Sequence, residues 1–385
     1  MTPPRSILHI ITSLQMGGAE MALYRLVSAL DTGLYQHSVI ALTNDRPVGD
    51  LIRSLGIPVE SLGYRPGFPS HRIIFRLKQR ILDFNPDIVQ TWMYHADFLG
   101  GLAAKLAGHY PVVWNIRHTI SGKESLKRST YWIAKLNALL SRSLPDKIIC
   151  NADAGKQTHA AMGFDNEKMV VIENGFDLSR FSPDRISRAG VRDELSLPKD
   201  VSLMGMAARY HPQKDHANLL HAAVLLLQRH PDVYFLLWGS NVDNDNQELD
   251  GLVKTLDLQK RVLMLGLRLD TQRLFSALDI ATLTSAYGEA FPQVVGEAMA
   301  CGVPCVVTDV GDSNRIVGKT GRVVPPQNPQ ALANAWDELL SMPEVERRRL
   351  GEAARERIKN VFSLETMVDK YSLVYQNVLK KAATA

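Results

Sequence analysis

Two carboxylates eight positions apart, Glu289 and Glu297, have the residue type and spacing in this chain that most plainly suggest chemistry. They lie in Tyr287-Gly288-Glu289-Ala290-Phe291-Pro292-Gln293-Val294-Val295-Gly296-Glu297-Ala298-Met299-Ala300-Cys301-Gly302-Val303-Pro304, behind the strand-like run Ile280–Leu283. One acid falls in a tight loop, the other inside the helix expected to follow. A strand, a short loop and a helix N-terminus make a pocket where backbone N–H groups point outward and favour anions, phosphate above all. Two carboxylates beside such a pocket suit a ligand that is phosphate at its centre and hydroxyl-rich at both ends, as a nucleotide diphosphate sugar is. Two cations follow another expected strand: Arg209 and, five residues on, Lys214. A fixed pair of cations can neutralise the charge that builds on a departing nucleoside diphosphate, work a divalent metal can also do.

The run from Glu289 through Ala298-Met299-Ala300-Cys301-Gly302-Val303-Pro304 resembles the signature of glycosyltransferase family 4, whose members have the two-domain GT-B fold. The resemblance covers nearly the whole chain and is most specific from Leu203 to Pro326. It implies a retaining transferase that uses neither metal nor cofactor. In it Glu289 contacts the transferred sugar, Glu297 the ribose hydroxyls, and the loop at Ala290, Phe291, Gln293 and Val294 holds the diphosphate. Arg209 and Lys214 resemble the family's arginine–lysine pair. Met16-Gly17-Gly18-Ala19-Glu20, opening a helix expected to begin about Met21, resembles its Gly-Gly-x-Glu loop. There Gly17 and Gly18 would let the backbone approach the donor closely; a simple tight turn is the other reading, and the G-x-G-x-x-G spacing is absent. His118 occupies the position of the family's cleft histidine, where an imidazole can bond the donor sugar's 6-hydroxyl or orient the acceptor. His95 and Arg117 are acceptor-side candidates. Leu237-Trp238-Gly239-Ser240 replaces the family's usual Gly-x-Gly-Pro, and Gln293 stands where Asn is frequent, so the base stays open, UDP ahead of GDP, with Arg268 as the base-side contact.

These residues need strands to present them. Strand-length apolar runs alternate with longer helical patterns, the sign of βαβ units and parallel sheets. Strands are expected at Ser6–Ile11, Ser38–Leu42, Ile88–Thr91, Val112–Asn115, Lys147–Cys150 and Met169–Ile172. A second series is expected at Leu203–Ala207, Val233–Trp238, Val262–Leu265, Ile280–Leu283, Cys305–Thr308 and Gly321–Val324. The expected class is therefore α/β, and with the resemblance GT-B: two facing doubly wound Rossmann-like domains with an interdomain cleft. Residues 1–180 would bind the acceptor and residues 181–363 the nucleotide sugar, with a terminal helix at 364–385 packing back on the first domain.

Bulk properties fit a large globular enzyme. The 385 residues are 45% hydrophobic and 22% charged, with net charge +4, too small to argue for nucleic acid. Residues 1–175 hold 19 Lys and Arg against 14 Asp and Glu, and the remainder 25 against 26, so the basic surplus belongs to the first half. Within it, Arg117 to Arg142 carries six basic residues and one acidic, with Arg128, Lys135 and Arg142 recurring every seven positions beside Trp132, Leu136, Leu139 and Leu140. On a helix this sets a cationic stripe beside an apolar one, suited to an anionic membrane surface; a core-facing helix with a solvated basic edge is the alternative. A second basic cluster, Arg72, Arg76, Lys78 and Arg80, follows Gly67-Phe68-Pro69. Three scattered cysteines, Cys150, Cys301 and Cys305, read as reduced core residues of a cytoplasmic protein. The apolar run Ile7–Ile11 is too short for a signal-peptide core, and no stretch is long enough to span a bilayer. Asp243-Asn244-Asp245 has a metal-binding shape but lies in a polar run and is assigned to solvent. The expected partners are a nucleotide diphosphate sugar and a glycan or lipid-linked saccharide of bacterial surface polysaccharide synthesis, met on the inner face of the cytoplasmic membrane. A nucleotide-sugar epimerase and a non-catalytic nucleotide-sugar-binding protein are the alternative functions.

Overall fold

A computed structural model describes residues 3–64, 70–120, 127–198 and 201–384. The chain divides into two compact units, one formed by Met1–Gly175 with Leu364–Ala385, the other by Phe176–Ser363.

In the first unit the strands are β1 (Arg5–Ile11), β2 (Tyr35–Ala41), β3 (Val59–Ser61), β4 (Ile88–Trp92), β5 (Val112–Ile116), β6 (Lys147–Cys150) and β7 (Met169–Val171). They form one parallel sheet in the order β3-β2-β1-β4-β5-β6-β7. The order reverses between β1 and β4. Strands β4 and β5 are buried along their whole length, as a parallel sheet covered on both faces requires. Along β1 the period of two sends Ile7 and Ile11 into a core with Leu23 and Leu26, and Leu8 and Ile10 into the opposite core with Leu77, Leu99 and Trp114. Strand β3 was not expected: its three residues are half-buried at the sheet edge, so no continuous apolar run marks it.

The helix Leu364–Thr384 belongs to this unit and buries Met367, Tyr371, Tyr375 and Val378 in the core with Ile7 and Ile11. Its polar atoms are tied in as well. Asn115 Nδ2 donates to the Tyr371 hydroxyl at 2.6 Å, the Tyr375 hydroxyl donates to Gln90 Oε1, and Lys370 pairs with Glu173 at 2.7 Å. Each large side chain so buried contributes roughly 1.5–3 kcal/mol.

In the second unit β8 (Leu203–Ala207), β9 (Tyr234–Trp238), β10 (Val262–Met264), β11 (Ile280–Leu283), β12 (Cys305–Thr308) and β13 (Arg322–Val324) form a parallel sheet ordered β10-β9-β8-β11-β12-β13. Here the reversal falls between β8 and β11. Phe235, Leu237, Leu219, Leu220 and Trp336 fill the core, and the Trp336 indole N–H donates to Thr282 Oγ1 at 3.0 Å. The unit begins at Phe176, whose ring stacks on Phe291 at a centroid distance of 6.0 Å; Phe362 meets Phe291 at 5.4 Å. The helix Gln293–Ala300 closes on this cluster through Gly296, where a Cβ would stand 2.1 Å from Phe176 Cζ. Among the described residues no helix is long and apolar enough to cross a membrane, and all three cysteines are buried thiols.

Candidate functional site

Open parallel sheets present ligands at the carboxyl ends of their strands, where the strand order reverses. In the second unit that place lies between β8 and β11, and the sequence candidates gather there. After β8 the chain passes Arg209 and makes a 3-10 turn, Pro212–Lys214, ended by Asp215 in the left-handed conformation at φ 49°. The turn is stitched onto the loop after β11. Thr284 Oγ1 donates to Lys214 O at 2.8 Å, the Ala286 amide donates to Gln213 O at 2.8 Å, and Gln213 Nε2 donates to Gly288 O at 2.9 Å. Across this seam Lys214 Nζ pairs with Glu289 Oε1, which also accepts from Ser285 Oγ at 2.6 Å. Glu289 is 8% exposed, so the carboxylate is held in place before any ligand arrives. Arg209 is exposed and reaches Gln213 Oε1 at 3.3 Å.

The rest of the loop is pinned from β12. Asp312 N donates to Ala290 O at 2.9 Å, and Gly311, at φ 61°, lies so close that a Cβ there would stand 2.3 Å from Glu289 O. Phe291 turns its ring into the aromatic cluster, which leaves its backbone amide, not its side chain, for a ligand. Gln293 and Val294 open the helix that carries Glu297, and Pro292 at its N-cap gives the first turn no side-chain hydrogen bond. Such a helix start, with Arg209 and Lys214 nearby, can receive a diphosphate.

Arg268 is held elsewhere. Its guanidinium makes paired bonds to Asp270 at 2.7 and 2.8 Å and reaches Glu194 at 3.0 Å, bonds that raise its pKa above the ordinary arginine value. These contacts do not join the Glu289 group. Asp243 and Asp245 make a local turn, with the Asp245 amide donating to Asp243 Oδ1 at 3.2 Å.

In the first unit the helix opens at Gly18, three residues before the expected start, because Gly17 takes the extended N-cap conformation. Glu20 folds back over it: a Cβ on Gly17 would stand 2.4 Å from Glu20 Oε2, whereas a Cβ on Gly18 meets nothing within 4 Å. Desolvation raises the Glu20 carboxyl above its ordinary range, against opposing bonds from its own amide and Ser13 and the Arg117 charge. His95 is half-buried in the first turn of the helix Tyr94–Ala107, and desolvation lowers its pKa. Arg117, expected to face an acceptor, is instead enclosed at 8% exposure. It donates to Asn174 Oδ1, interacts with Tyr371 and lies 5.6 Å from the Trp92 ring centroid. Strand alternation explains this: Arg117 turns to the face covered by the helix Leu364–Thr384, while His118 turns the other way. His118 reaches solvent with its imidazole stacked on Tyr94; desolvation and then the Arg117 charge hold its pKa below the ordinary value. Lys123 and Glu124 of the basic segment, and Gly67-Phe68-Pro69, lie outside the described residues.

Sequence reasoning missed Gln213, Thr284, Ser285 and Gly311. Ser285 and Thr284 follow β11 directly, and Gly311 sits in Val310-Gly311-Asp312 just past β12, so position after a strand was the available signal.

Residues 16–180 match the family model described as Glycosyltransferase Family 4, and residues 188–357 the one described as Glycosyl transferases group 1. Among relatives, an Escherichia coli UDP-Gal:alpha-D-GlcNAc-diphosphoundecaprenol alpha-1,3-galactosyltransferase is 27% identical over 75% of this chain and 75% of its own length. A Mycobacterium tuberculosis D-inositol 3-phosphate glycosyltransferase is 31% identical over 61% of this chain and 49% of its own. Among solved structures, HepE of Anabaena in complex with UDP has a TM-score of 0.85 at 23% identity, covering 97% of this chain and 100% of HepE.

Proposed function

The chain belongs to the family 4 glycosyltransferases, with a group 1 glycosyl transferase domain after its first domain, and from that membership we propose the reaction it performs. It moves a hexose from a UDP-sugar to a hydroxyl of a lipid-linked saccharide in bacterial surface polysaccharide synthesis, with retention of configuration and without a metal. The Escherichia coli relative named for UDP-Gal and a diphosphoundecaprenol acceptor, and UDP in the HepE crystal, support this choice of donor and acceptor. The observation that carries the reading is the Lys214–Glu289–Ser285 group at the β8/β11 reversal.

In the free protein Lys214 neutralises Glu289. A diphosphate arriving at the start of the helix Gln293–Ala300 competes for that ammonium. As Lys214 turns toward phosphate, Glu289 accepts hydrogen bonds from the sugar hydroxyls while Ser285 keeps it in place. Arg209 adds a second cation, loop amides at Ala290, Phe291, Gln293 and Val294 take phosphate oxygens, and Glu297 takes the ribose hydroxyls. The C1–O bond to the β-phosphate breaks and a C1–O bond to the acceptor forms. The hydroxyl proton leaves with the diphosphate, whose charge Arg209 and Lys214 offset where a metal would otherwise serve. In the first unit His118 and His95 serve the sugar and the acceptor, and Gly17 and Gly18 give the donor close backbone approach. Arg268 is retained on the base side. The work is done at the inner face of the cytoplasmic membrane.

Nucleoside diphosphate release from UDP- and GDP-sugars, with and without EDTA, tests the reading on wild type and Glu289→Gln. The expected result is EDTA-resistant release from a UDP-sugar that falls on the order of 100-fold in the variant. Release abolished by EDTA would remove the metal-free mechanism, and an unimpaired Glu289→Gln would remove the site.

A further inference from the structure

We infer that Tyr94 and His159 are positioning residues that fix the ring plane of His118. The contacts form a closed circuit. The Tyr94 ring lies against the His118 imidazole with centroids 6.1 Å apart and planes 29° from parallel. The Tyr94 hydroxyl meets His159 Nε2 at 2.6 Å, and His159 Nδ1 meets Gly155 O at 2.6 Å. A carbonyl can only accept, so Nδ1 carries the hydrogen, Nε2 keeps its lone pair, and the phenol donates. Gly155 then returns to the start: a Cβ added there would stand 3.2 Å from the backbone oxygen of His118. The helix Asp153–Met162 thus lies close to the His118 backbone at Gly155 and, through His159, bonds the hydroxyl of the ring stacked on the His118 imidazole.

The circuit is braced on its other sides. Asn137 Nδ2, fully buried, donates to Tyr94 O at 2.9 Å, and Phe164 meets His159 edge-on at 5.1 Å. Met93, just before Tyr94, takes φ 74°, a conformation costly for a residue with a side chain, to turn the chain from β4 into the helix Tyr94–Ala107. His159 is fully buried, and desolvation brings its pKa down to about 4, so at neutral pH it is a neutral acceptor. Any buried tyrosine needs a hydroxyl partner; what ties this one to His118 is its ring, stacked against the imidazole.

This inference rests on the proposed role of His118, and its test separates the two. Release rates are measured for Tyr94→Phe, His159→Phe, His118→Ala and the double variant Tyr94→Phe/His118→Ala, with Glu289→Gln as the site control. Tyr94→Phe keeps the stacked ring and loses the hydroxyl. Its kcat is expected to fall about tenfold at unchanged donor KM, with no further fall when added to His118→Ala, while Tm drops because His159 Nε2 is left buried without a partner. Additive losses would overturn the inference. A His118→Ala enzyme as active as wild type, beside an inactive Glu289→Gln, would instead remove the role of His118. Histidine-labelled NMR gives a reading independent of turnover: the His118 ring signal should shift or broaden in Tyr94→Phe and His159→Phe while that of exposed His211 stays put. An unmoved His118 signal would refute the brace outright.

Discussion

At the residue scale two glycines near the proposed donor contacts, Gly311 and Gly18, answer to different constraints. Gly311 adopts φ 61° with Glu289 O and Ala290 O within reach of any Cβ, so Gly311→Ala must push the loop that carries Glu289. We expect release to fall about tenfold or more, with about 1–3 kcal/mol of lost stability read as a lower Tm. Gly18 has open space where a Cβ would go, so Gly18→Ala should leave Tm unchanged and raise the donor KM; an unchanged KM would reduce the Gly17-Gly18 segment to a turn. Glu289, Lys214 and Arg209 stand out as candidates in the sequence because their spacing after two strands suits a chemistry. Ser285 and Gln213 do not, since they act by holding Glu289 and the Gly288 carbonyl, and such partnerships appear only once β8 and β11 lie side by side. Tyr94 and His159 were hidden for the same reason: 65 residues separate them. Arg117 misled because a cation just past a strand looks available until the helix Leu364–Thr384 covers it.

At the scale of elements the amphipathic segment acquires a definite orientation. The helix Arg128–Leu140 buries only Ala134, Asn137 and Ala138, turning its small side inward. Trp132 and Leu139 stand out at 68% and 74% exposure, with Lys127, Arg128 and Lys135 at their sides. Phe75 on the helix Ser70–Phe84 and Leu106 on Tyr94–Ala107 are also exposed, on neighbouring helices of the same unit. A core-facing helix would have hidden its largest residues, so the proposed occupant of this face is an anionic bilayer, each nearby cation contributing about 1 kcal/mol at low salt. Wild type is expected to sediment with anionic vesicles and Trp132→Ser/Leu139→Ser at least tenfold less, both releasing nucleoside diphosphate from soluble donor alike; failure of wild type to bind would end the proposal. Strands were the most legible elements because a continuously apolar parallel strand needs no partner to be recognised. Among the described residues only β3 escaped, being short and half-buried.

Across the whole molecule, buried neutral histidines set a pH limit. In the first unit the Trp92 indole donates to His9 Nδ1 at 3.3 Å and His9 Nε2 donates to His37 Nδ1 at 3.0 Å. Desolvation lowers His37 to about 4, as it does His159 and, in the second unit, His216; His9 is lowered too. Unfolded, each titrates near 6.5, so between these values the unfolded chain binds more protons. The stability they confer is complete above about pH 6.5 and lost as pH falls toward 4, at up to about 1.4 kcal/mol per pH unit per group. Thermal melts from about pH 7.5 to 5 should show a falling Tm, with a shallower slope in His37→Gln; a flat profile would contradict it. The two sheets were legible as two series of strands, whereas the boundary at Gly175, five residues ahead of the expected one, depends on Phe176 stacking with Phe291, a pairing across more than a hundred residues. The helix Leu364–Thr384 carries a consequence for synthesis. A ribosome makes the first unit's sheet first and the helix that completes its core only after all of the second unit, so the cavity meant for Tyr371 and Tyr375 stays open while some 190 residues are translated. The first domain to emerge is therefore the last to finish, and the nascent chain is most exposed to chaperones and proteases at its oldest part.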